Sequence, residues 1–226
     1  GMMPLLLVAA SLGQVSCAGS SQACGGARWA GIFGPSDPGL RDLADAQGLW
    51  LGAAVACPTL GVEDPYSETL AREFNSLTPE NVMKWRLIHP KAQEWTVGEA
   101  DAMVGFARRQ GMSVKGHALV WHEELPDYIT EDLEPDELER LMVAHVDTMV
   151  RRYKGDVRAW DVVNEAIADS GGYRETIWMD NLGVGFIKRA FEVAREADPE
   201  VELFYNDYGT EGLNQKSDDV YALVQG

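Results

Sequence analysis

The sequence predicts an α/β protein in which helices cover a parallel β-sheet that forms part of a (β/α)8 barrel. Strand-like and helix-like segments alternate five times after Leu40, hairpin signals are absent, and polar residues follow the strands. An open doubly wound sheet would share these features. It usually carries a glycine-rich phosphate loop after its first strand, whereas this chain has Cys57-Pro58-Thr59-Leu60 there. We therefore favour the barrel, with about its first five βα units in these 226 residues.

The five predicted strands are short apolar runs bounded by turn residues. They cover residues 49–56, 74–77, 113–121, 157–164 and 201–205. The first consists of small apolar residues, the second ends at Thr78-Pro79, and the third reads VKGHALVW. Because helical segments separate the strands along the chain, we expect them to pair in parallel.

Helical segments follow the strands at residues 64–73, 98–110, 135–155, 182–197 and 217–225. Gly111 is suited to end the second of them. The third begins near Pro135 and closes at Gly155, and its apolar stripe has three- and four-residue spacing. That stripe consists of Leu138, Leu141, Met142, His145, Met149, Val150 and Tyr153.

The charge balance excludes some classes of partner. The chain has 36 acidic and 19 basic side chains, which gives a formal net charge of −17. Nucleic acid and anionic membrane surfaces are therefore poor partners, and a neutral ligand or a cation fits better. Seven Trp and seven Tyr favour sugar-type ligands, although any single aromatic residue is equally well explained as core.

Residues 1–18 are predicted to be a signal peptide. Pro4 to Ala18 is an apolar run too short to span a bilayer, and Ser16-Cys17-Ala18 offers a cleavage site before Gly19. The positively charged start of a secretory signal is missing. We expect a secreted or periplasmic protein. A lipid anchor at Cys17 is a weaker alternative, because Gln14-Val15-Ser16 matches such a site poorly.

Residues 19–39 read as a Gly/Ser/Ala/Pro-rich linker, and residues 40–226 as a partial (β/α)8 barrel domain. The other two cysteines leave two alternatives open. Cys24 and Cys57 could pair in an exported protein, or Cys57 could be a buried thiol beside the first strand.

The stretch Trp160-Asp161-Val162-Val163-Asn164-Glu165-Ala166 is the most informative in the chain. It combines an apolar strand, which favours burial, with an amide and a carboxylic acid at its C-terminal end. This pattern indicates a functional site.

Polar and aromatic side chains also follow the neighbouring strands. The set comprises Glu80, Asn81, Lys84 and Trp85 after the second strand, His117, Trp121, His122 and Glu124 on or after the third, and Asn206, Asp207 and Tyr208 after the fifth. Amides, imidazoles and a lysine can form directional hydrogen bonds to hydroxyls, and indoles offer flat surfaces to sugar rings. The combination suits a saccharide.

Each member also has a simpler explanation. Glu80-Asn81 could be a helix cap, and His117 a hydrogen-bonded core histidine. Asp161 is expected to be a structural acceptor towards a neighbouring strand. His117 and His122 could suggest a metal, but no His-x-x-x-His or Cys/His cluster supports one, so we expect no metal site. Four strands that all end in sugar-binding groups are nevertheless hard to explain structurally.

Four motifs follow one another along the chain: the segment from Phe74 to Trp85 (FNSLTPENVMKW), the segment from Gly116 to His122 (GHALVWH), WDVVNEA, and Tyr205-Asn206-Asp207-Tyr208. In this order they resemble family 10 of the glycoside hydrolases, the endo-β-1,4-xylanases built on a (β/α)8 barrel. The resemblance implies that residues 40–226 are a partial glycoside hydrolase barrel, the catalytic domain. The resemblance extends over residues 49–226 and includes the segment around Lys216 and Tyr221.

The resemblance implies roles for individual residues. Glu165 would be the general acid/base, and Asn164 would hydrogen-bond the 2-hydroxyl of the sugar at the cleavage point. Sugars on the non-reducing side would be bound by Glu80, Asn81, Lys84, His117 and Trp121. Tyr208 would lie on the leaving-group side. The implied reaction needs no cofactor, and the implied partner is xylan or xylo-oligosaccharides.

Glu124 departs from the family pattern, which commonly has Gln at this position. Two outcomes are open: the extra carboxylate adds negative charge beside the acid/base, or the side chain turns away.

The second carboxylate of the reaction is not found in the sequence. A retaining glycosidase needs two carboxyl groups about 5–5.5 Å apart. In this family the nucleophile lies in a Thr-Glu-Leu-Asp-like segment of the seventh strand, which these 226 residues do not contain. A barrel of this type typically needs about 250 residues. We therefore expect the N-terminal portion of a retaining endo-β-1,4-xylanase, inactive by itself and lacking the C-terminal half of the barrel.

Two alternatives remain open. The chain could be a non-hydrolytic xylo-oligosaccharide-binding protein, or a fragment that folds only with a complementing chain. Weak binding of xylo-oligosaccharides would favour the first, and concentration-dependent assembly the second.

Overall fold

The structure is a computed structural model that describes residues 38–56, 60 and 64–225. The predicted signal peptide, all but the last two residues of the predicted linker, and the three cysteines lie outside the described residues. The proposed cleavage site, the lipid anchor and the Cys24–Cys57 pair therefore stay predictions.

The described chain forms a five-stranded sheet in which every neighbouring pair is parallel. Its strands are β1 (Gly52–Val55), β2 (Ser76–Pro79), β3 (Ser113–Val120), β4 (Ala159–Asn164) and β5 (Glu202–Asn206). They lie side by side in the order β1-β2-β3-β4-β5. A doubly wound sheet reverses its strand order at a switch point. No reversal occurs among these five strands, so the topology favours the barrel over the open sheet.

Helices alternate with these strands, as predicted. They are α1 (Leu40–Ala46), α2 (Pro65–Glu73), α3 (Trp85–Ile88), α4 (Gly98–Arg109), α5 (Pro135–Arg152), α6 (Ile177–Leu182), α7 (Gly185–Ala197) and α8 (Gln215–Gln225). The sequence did not indicate α1, α3 and α6, because helices of one or two turns are too short to show a periodic apolar stripe. The side chain of Thr176 caps α6 by accepting a hydrogen bond from the backbone N–H of Met179 (3.2 Å).

Several predicted boundaries differ from the observed ones by up to three residues, and two of these differences have a clear local cause. β2 begins two residues after the predicted start, because Phe74 still caps α2 and the side chain of Asn75 accepts a hydrogen bond from the N–H of Leu51 (2.7 Å). α7 begins three residues after the predicted start, because Gly183 has a φ of 62° and interrupts the helical run. Positive φ is a conformation that favours glycine.

The core brings β3 and β4 into close contact at one glycine. Trp160 is buried, and a Cβ atom at Gly116 would lie 2.2 Å from two carbons of its indole ring. A residue with a side chain would therefore separate the two strands that carry most of the predicted site. Close backbone approach of this kind explains a glycine inside a strand.

A layer of nearly parallel rings surrounds Trp85, the residue that follows Lys84 in the chain. The His145 ring stacks on Trp85 with centroids 3.8 Å apart, and the His89 ring stacks on Trp95 at 3.9 Å. His145 is fully buried, and neither ring nitrogen has a hydrogen-bond partner within the described part of the chain. Burial, with a smaller contribution from His89, holds the pKa of His145 well below its usual range. This core histidine is therefore neutral.

Among the helices of residues 38–56 and 64–225, none combines the length and the apolarity that crossing a bilayer requires.

Candidate active site

Glu165 lies immediately after β4, all six residues of which are buried. Its backbone has a φ of 57°, a left-handed conformation that side-chain-bearing residues rarely adopt. The N–H of Glu165 donates to the carbonyl of Asn206 on β5 (2.9 Å), and its own carbonyl accepts from Nε of Arg174 (3.0 Å). Such strained conformations persist where surrounding contacts hold them, and they cluster at functional sites.

The Glu165 side chain points towards β3. Its Oε2 accepts a hydrogen bond from the indole Nε1 of Trp121 (3.0 Å). Nearby, burial and the positive charge of Arg174 lower the pKa of His122, while the charge of Glu165 opposes part of the shift. His122 is thus neutral beside the carboxylate and close to Trp121, with ring centroids 6.1 Å apart.

A buried charge cluster lies below this site. Asp161 is only 2% exposed, and its two carboxylate oxygens lie 2.7 Å from Nζ of Lys115 and 3.0 Å from Nδ1 of His117. Asp161 is therefore the structural acceptor that the sequence predicts, and it orients the ring of His117. Because Nδ1 is committed to Asp161, Nε2 is the ring nitrogen available to a ligand. The strand register shifts between His117 and Val120, as is common beside active sites.

Asn164, the last residue of β4, is 3% exposed and bound to β5. Its Oδ1 accepts a hydrogen bond from Nδ2 of Asn206 (2.7 Å). With the amide oxygen satisfied, the NH₂ group of Asn164 is the part that can donate to a hydroxyl.

Residues after β2 join the same group through a lysine. Nζ of Lys84 donates to Oδ1 of Asn81 (2.9 Å) and lies 5.1 Å from the centroid of the Trp121 ring. Trp121 in turn binds Glu165, and Asn164 binds Asn206, so these contacts connect all four predicted strand ends. Glu80 is exposed at the end of β2, and its side chain forms no hydrogen bond or ion pair with any other residue that the structure describes.

Tyr208 is 48% exposed and belongs to a polar cluster that Arg174 links to the backbone of Glu165. Its hydroxyl donates to Oδ1 of Asp169 (2.6 Å) and accepts from the guanidinium of Arg174 (3.2 Å). Lys216 lies 3.0 Å from Asp169 and 3.5 Å from the centroid of the Tyr208 ring. Sequence reasoning missed Arg174 and Asp169, because their partners lie up to 47 residues away and no local pattern marks them.

The loops after β4 and β5 are also joined beneath this cluster. The hydroxyl of Tyr205 donates to Asp207 (2.5 Å) and accepts from the N–H of Ile167 (3.1 Å). Burial and the adjacent Asp207 raise the pKa of Tyr205, so the hydroxyl stays protonated and keeps its donor role. Asp207 is occupied further by Lys216 at 2.9 Å.

Glu124 takes the second of its two predicted outcomes. Its carboxylate pairs with the guanidinium of Arg86 (2.5 Å), and its carbonyl accepts from the Arg86 N–H (2.8 Å). The extra negative charge of the partly exposed Glu124 is thus compensated by an exposed arginine. Glu124 also has a positive φ, of 54°.

No group of three or more His, Cys, Asp or Glu side chains is arranged to hold a metal ion, as far as the described ranges extend. The site gathers hydrogen-bonding groups around the carboxylic acid of Glu165: Trp121 contacts its carboxyl group, and Arg174 links its backbone to Tyr208. Such a group of residues can hold an uncharged polyol and transfer a proton to or from it.

Comparison with known proteins identifies similar sequences. A family model described as "Glycosyl hydrolase family 10" matches residues 39–226. Endo-1,4-beta-xylanase B of Thermotoga neapolitana is 42% identical over 196 residues, which cover 85% of this chain and 57% of that protein. A beta-1,4-xylanase of Dictyoglomus thermophilum is 45% identical over 162 residues, covering 71% and 46%. The chain thus spans about half the length of these two relatives.

Solved structures give the same result. Xylanase 10B of Thermotoga petrophila RKU-1, solved in complex with xylobiose, has a TM-score of 0.81 and 42% identity, covering 85% of this chain and 60% of that one. The intracellular xylanase TsXylA of Thermoanaerobacterium saccharolyticum, solved as a mutant with xylotetraose, has a TM-score of 0.78 and 31% identity, covering 84% and 62%. The five βα units correspond to about the first half of the (β/α)8 barrel of such enzymes.

Proposed function

Because the chain belongs to glycosyl hydrolase family 10, we propose that it supplies the acid/base half of a retaining endo-β-1,4-xylanase. The observation that carries the proposal is the placement of Glu165. It is a carboxylic acid held at the end of a buried strand in a left-handed conformation, with Trp121 bound to Oε2 (3.0 Å). Relatives of the chain are named xylanases, and two similar structures contain xylo-oligosaccharides.

In this mechanism Glu165 protonates the glycosidic oxygen as the bond breaks. After the leaving sugar departs, the same carboxylate removes a proton from water, which then attacks the glycosyl-enzyme. Asn164 donates from its NH₂ group to the 2-hydroxyl of the sugar at the cleavage point. Hydrogen bonds to that hydroxyl strengthen in the transition state and lower the barrier.

The remaining residues bind sugars on the two sides of Glu165. On the non-reducing side, Lys84 and Asn81 are already linked at 2.9 Å, and Lys84 lies over Trp121. We assign Glu80, Asn81, Lys84, His117 and Trp121 to hydroxyl and ring contacts there. Tyr208, about half exposed, lies on the leaving-group side, where its ring can contact a sugar face.

We propose that the nucleophile comes from residues outside these 226. A retaining enzyme needs a second carboxyl group about 5–5.5 Å from the first. The sequence contains no Thr-Glu-Leu-Asp-like segment. Asp207 is an unsuitable substitute because Tyr205 and Lys216 already occupy its oxygens at 2.5 and 2.9 Å. Alone, the 226-residue chain should therefore bind xylo-oligosaccharides without hydrolysing them.

Binding without hydrolysis is also the second candidate function. The residues assigned to the non-reducing side need no nucleophile to hold a sugar. Titration of the 226-residue chain with xylotetraose, followed by tryptophan fluorescence, measures this binding. Light scattering over a range of protein concentrations tests the other alternative, a fragment that assembles with a complementing chain.

A chimera tests the hydrolytic function. It joins residues 39–226 to the part of the Thermotoga neapolitana xylanase that follows its matched region. We expect it to hydrolyse xylan and to release the β-anomer first, as monitored by ¹H NMR. Glu165→Gln should reduce hydrolysis of xylan by about 10²- to 10⁴-fold, because general acid catalysis is lost.

Two controls make this result specific. Glycosylation by aryl xylosides with good leaving groups should be spared in Glu165→Gln, because those groups need little protonation. Glu124→Gln, which removes a carboxylate paired with Arg86, should leave xylan hydrolysis close to the parent rate. Equal rates of Glu165→Gln and the parent chimera on both substrates would rule out Glu165 as the acid.

We also propose that the protein is exported, on the basis of the apolar run in residues 4–18. Family membership does not decide this point, since TsXylA is described as intracellular. Mass spectrometry of the protein secreted from an expressing cell would find the N-terminus at Gly19 if the predicted cleavage occurs.

A further inference from the structure

We propose that Arg174 is a positioning residue that fixes the direction of Glu165 and of Tyr208 together. The inference rests on the proposed role of Glu165 as acid/base. Arg174 lies in the loop after β4, nine residues beyond Glu165. Its guanidinium connects the backbone that carries the acid to the aromatic ring on the leaving-group side.

The contacts of Arg174 with the loop after β4 form a clamp. Nε donates to the carbonyl of Glu165 (3.0 Å), and the guanidinium also reaches the carbonyl of Ile167 (3.2 Å). The backbone N–H of Arg174 donates to the carbonyl of Ala166 (2.8 Å). A planar guanidinium has five donors in a rigid fork, so one side chain can hold several carbonyls in a set geometry.

Glu165 needs such a clamp because of its backbone conformation. A φ of 57° is unfavourable for a residue with a Cβ atom and persists only where neighbouring groups hold it. The Asn206 carbonyl holds the N–H of Glu165 on one side of this residue, and Arg174 holds its carbonyl on the other. Release of the carbonyl would let the peptide rotate and carry the carboxyl group away from Trp121.

The nitrogen that reaches Ile167, Nη2, also contacts Tyr208 and Asp169. It lies 3.2 Å from the Tyr208 hydroxyl and 3.3 Å from Oδ1 of Asp169, while Tyr208 donates to the same Asp169 oxygen at 2.6 Å. The hydrogen bonds of Tyr208 and Lys216 to that carboxylate hold the pKa of Asp169 low, at about 2. Arg174 therefore keeps an anionic partner at acidic as well as neutral pH.

This arrangement couples two parts of the reaction. Glu165 delivers a proton to the oxygen of the departing sugar, and Tyr208 lies where that sugar would rest. One guanidinium contacts both residues, so it fixes the position of the proton donor relative to the ring that would contact the leaving sugar. The geometry of the fork matters here more than its charge, because the Glu165 and Ile167 contacts are to neutral carbonyls.

Indole NMR of the 226-residue chain tests the proposal without requiring turnover. The Nε1–H of Trp121 donates to Glu165, that of Trp178 donates to the Trp121 carbonyl (2.9 Å), and that of Trp85 donates to Tyr128 (2.7 Å). In ¹⁵N-labelled protein each indole gives its own signal, and Trp121→Phe assigns the first. The Trp121 signal thus reports on the carboxyl group of Glu165. The Trp178 and Trp85 signals show whether the surrounding structure is unchanged.

Two variants of Arg174 are compared. Arg174→Met removes both the planar guanidinium and its positive charge, whereas Arg174→Lys keeps a positive charge without the planar guanidinium. Arg189→Met is the matched control, because Arg189 lies on α7 and pairs with the surface carboxylates of Glu139 and Glu192. We expect both Arg174 variants to move the Trp121 signal towards its position in Glu165→Gln, with Trp178 and Trp85 unmoved. Arg189→Met should leave all three in place.

Two results would overturn the inference. One is a Trp121 signal that coincides with that of the parent in both Arg174 variants. The other is a parent-like signal in Arg174→Lys alone, which would assign the effect to charge and not to geometry. If Arg174→Met does not fold, Arg174→Lys by itself still separates these outcomes. An inactive chimera would count against the proposed reaction without altering these signals, so the two failures are distinguishable.

Discussion

The indole Nε1 of Trp121 donates a hydrogen bond of 3.0 Å to Oε2 of Glu165, although the two residues lie 44 positions apart in the chain. The pairing of β3 with β4 brings them together. Lys84 also lies over the Trp121 ring. Trp121 therefore contacts both the proposed acid/base, Glu165, and a lysine assigned to sugar binding. The indole connects the residues assigned to sugar binding with the proposed acid/base.

Loss of this hydrogen bond should impair catalysis more than stability. Trp121→Phe keeps an aromatic ring beneath Lys84 but removes the donor to Glu165. Charge develops on the Glu165 carboxylate in the transition state as it gives up its proton, and a hydrogen bond to a charged group is worth about 1.5–3 kcal/mol. We therefore expect kcat/KM of the chimera on xylotetraose to fall by about 10- to 100-fold, with a urea midpoint close to that of the parent. An unchanged kcat/KM would show that this hydrogen bond does not contribute to the reaction.

Breaking the buried ion pair between Lys115 and Asp161 should strongly destabilise the fold. Lys115 and Asp161 are separated by 2.7 Å, with side chains only 10% and 2% exposed. Lys115→Met would leave the buried carboxylate without this partner, at a cost of about 3–5 kcal/mol in the free energy of unfolding. Lys91→Met is the matched control, because the Lys91–Glu94 pair is 74% and 51% exposed.

Urea unfolding of the 226-residue chain measures both changes. For Lys91→Met we expect a loss below about 1 kcal/mol, as is usual for exposed pairs. Similar losses in the two variants would contradict the expectation that burial makes the Lys115–Asp161 pair important.

The contact between Gly116 and Trp160 predicts a second difference in stability. A Cβ atom at position 116 would overlap the buried indole ring at 2.2 Å, so Gly116→Ala should destabilise the fold by at least about 1–3 kcal/mol. Gly98→Ala places the same methyl group at the start of α4, where no atom lies within 4 Å. There the change should be neutral or slightly stabilising. Equal thermal midpoints for the two variants would refute this packing argument.

Stability should also fall in mild acid because of the buried histidines. Burial lowers the pKa of both His145 and His89 in the folded chain, whereas in the unfolded chain each titrates near its ordinary value of about 6.5. The unfolded state therefore binds more protons below about pH 6.5. The stabilising contribution is complete above this pH and is lost progressively as the pH falls towards the folded-state values.

His145→Phe tests this dependence, because phenylalanine keeps a ring against Trp85 and does not titrate. Each such histidine contributes up to about 1.4 kcal/mol per pH unit. Between about pH 7 and pH 5, the free energy of unfolding should fall less steeply in the variant than in the parent. Carboxylates titrate in both proteins, so the difference between the two slopes isolates His145. Parallel curves would show that His145 does not take up a proton on unfolding.

The sequence by itself determined the repeated βα pattern and the placement of Asn164 and Glu165 at the end of a buried strand. These features are local: an apolar run, a proline such as Pro135 and a glycine such as Gly155 act within a few residues. The bounds of α5 and β4 could therefore be predicted to within a few positions. The short helix α6 could not, because six residues are too few to show a periodic stripe.

Only the tertiary structure decided which side chains meet at the site. Glu124 pairs with Arg86, and the Trp121 indole donates to Glu165. Arg174 donates to the Glu165 carbonyl and to the Tyr208 hydroxyl. Most of these partners are separated by more than 30 residues, and their meeting depends on strand order and register. Strand order and register are set by the packing of the whole sheet, as at Gly116 and Trp160. A local pattern can therefore indicate that a carboxylic acid lies at a strand end, but not which groups hold it in place.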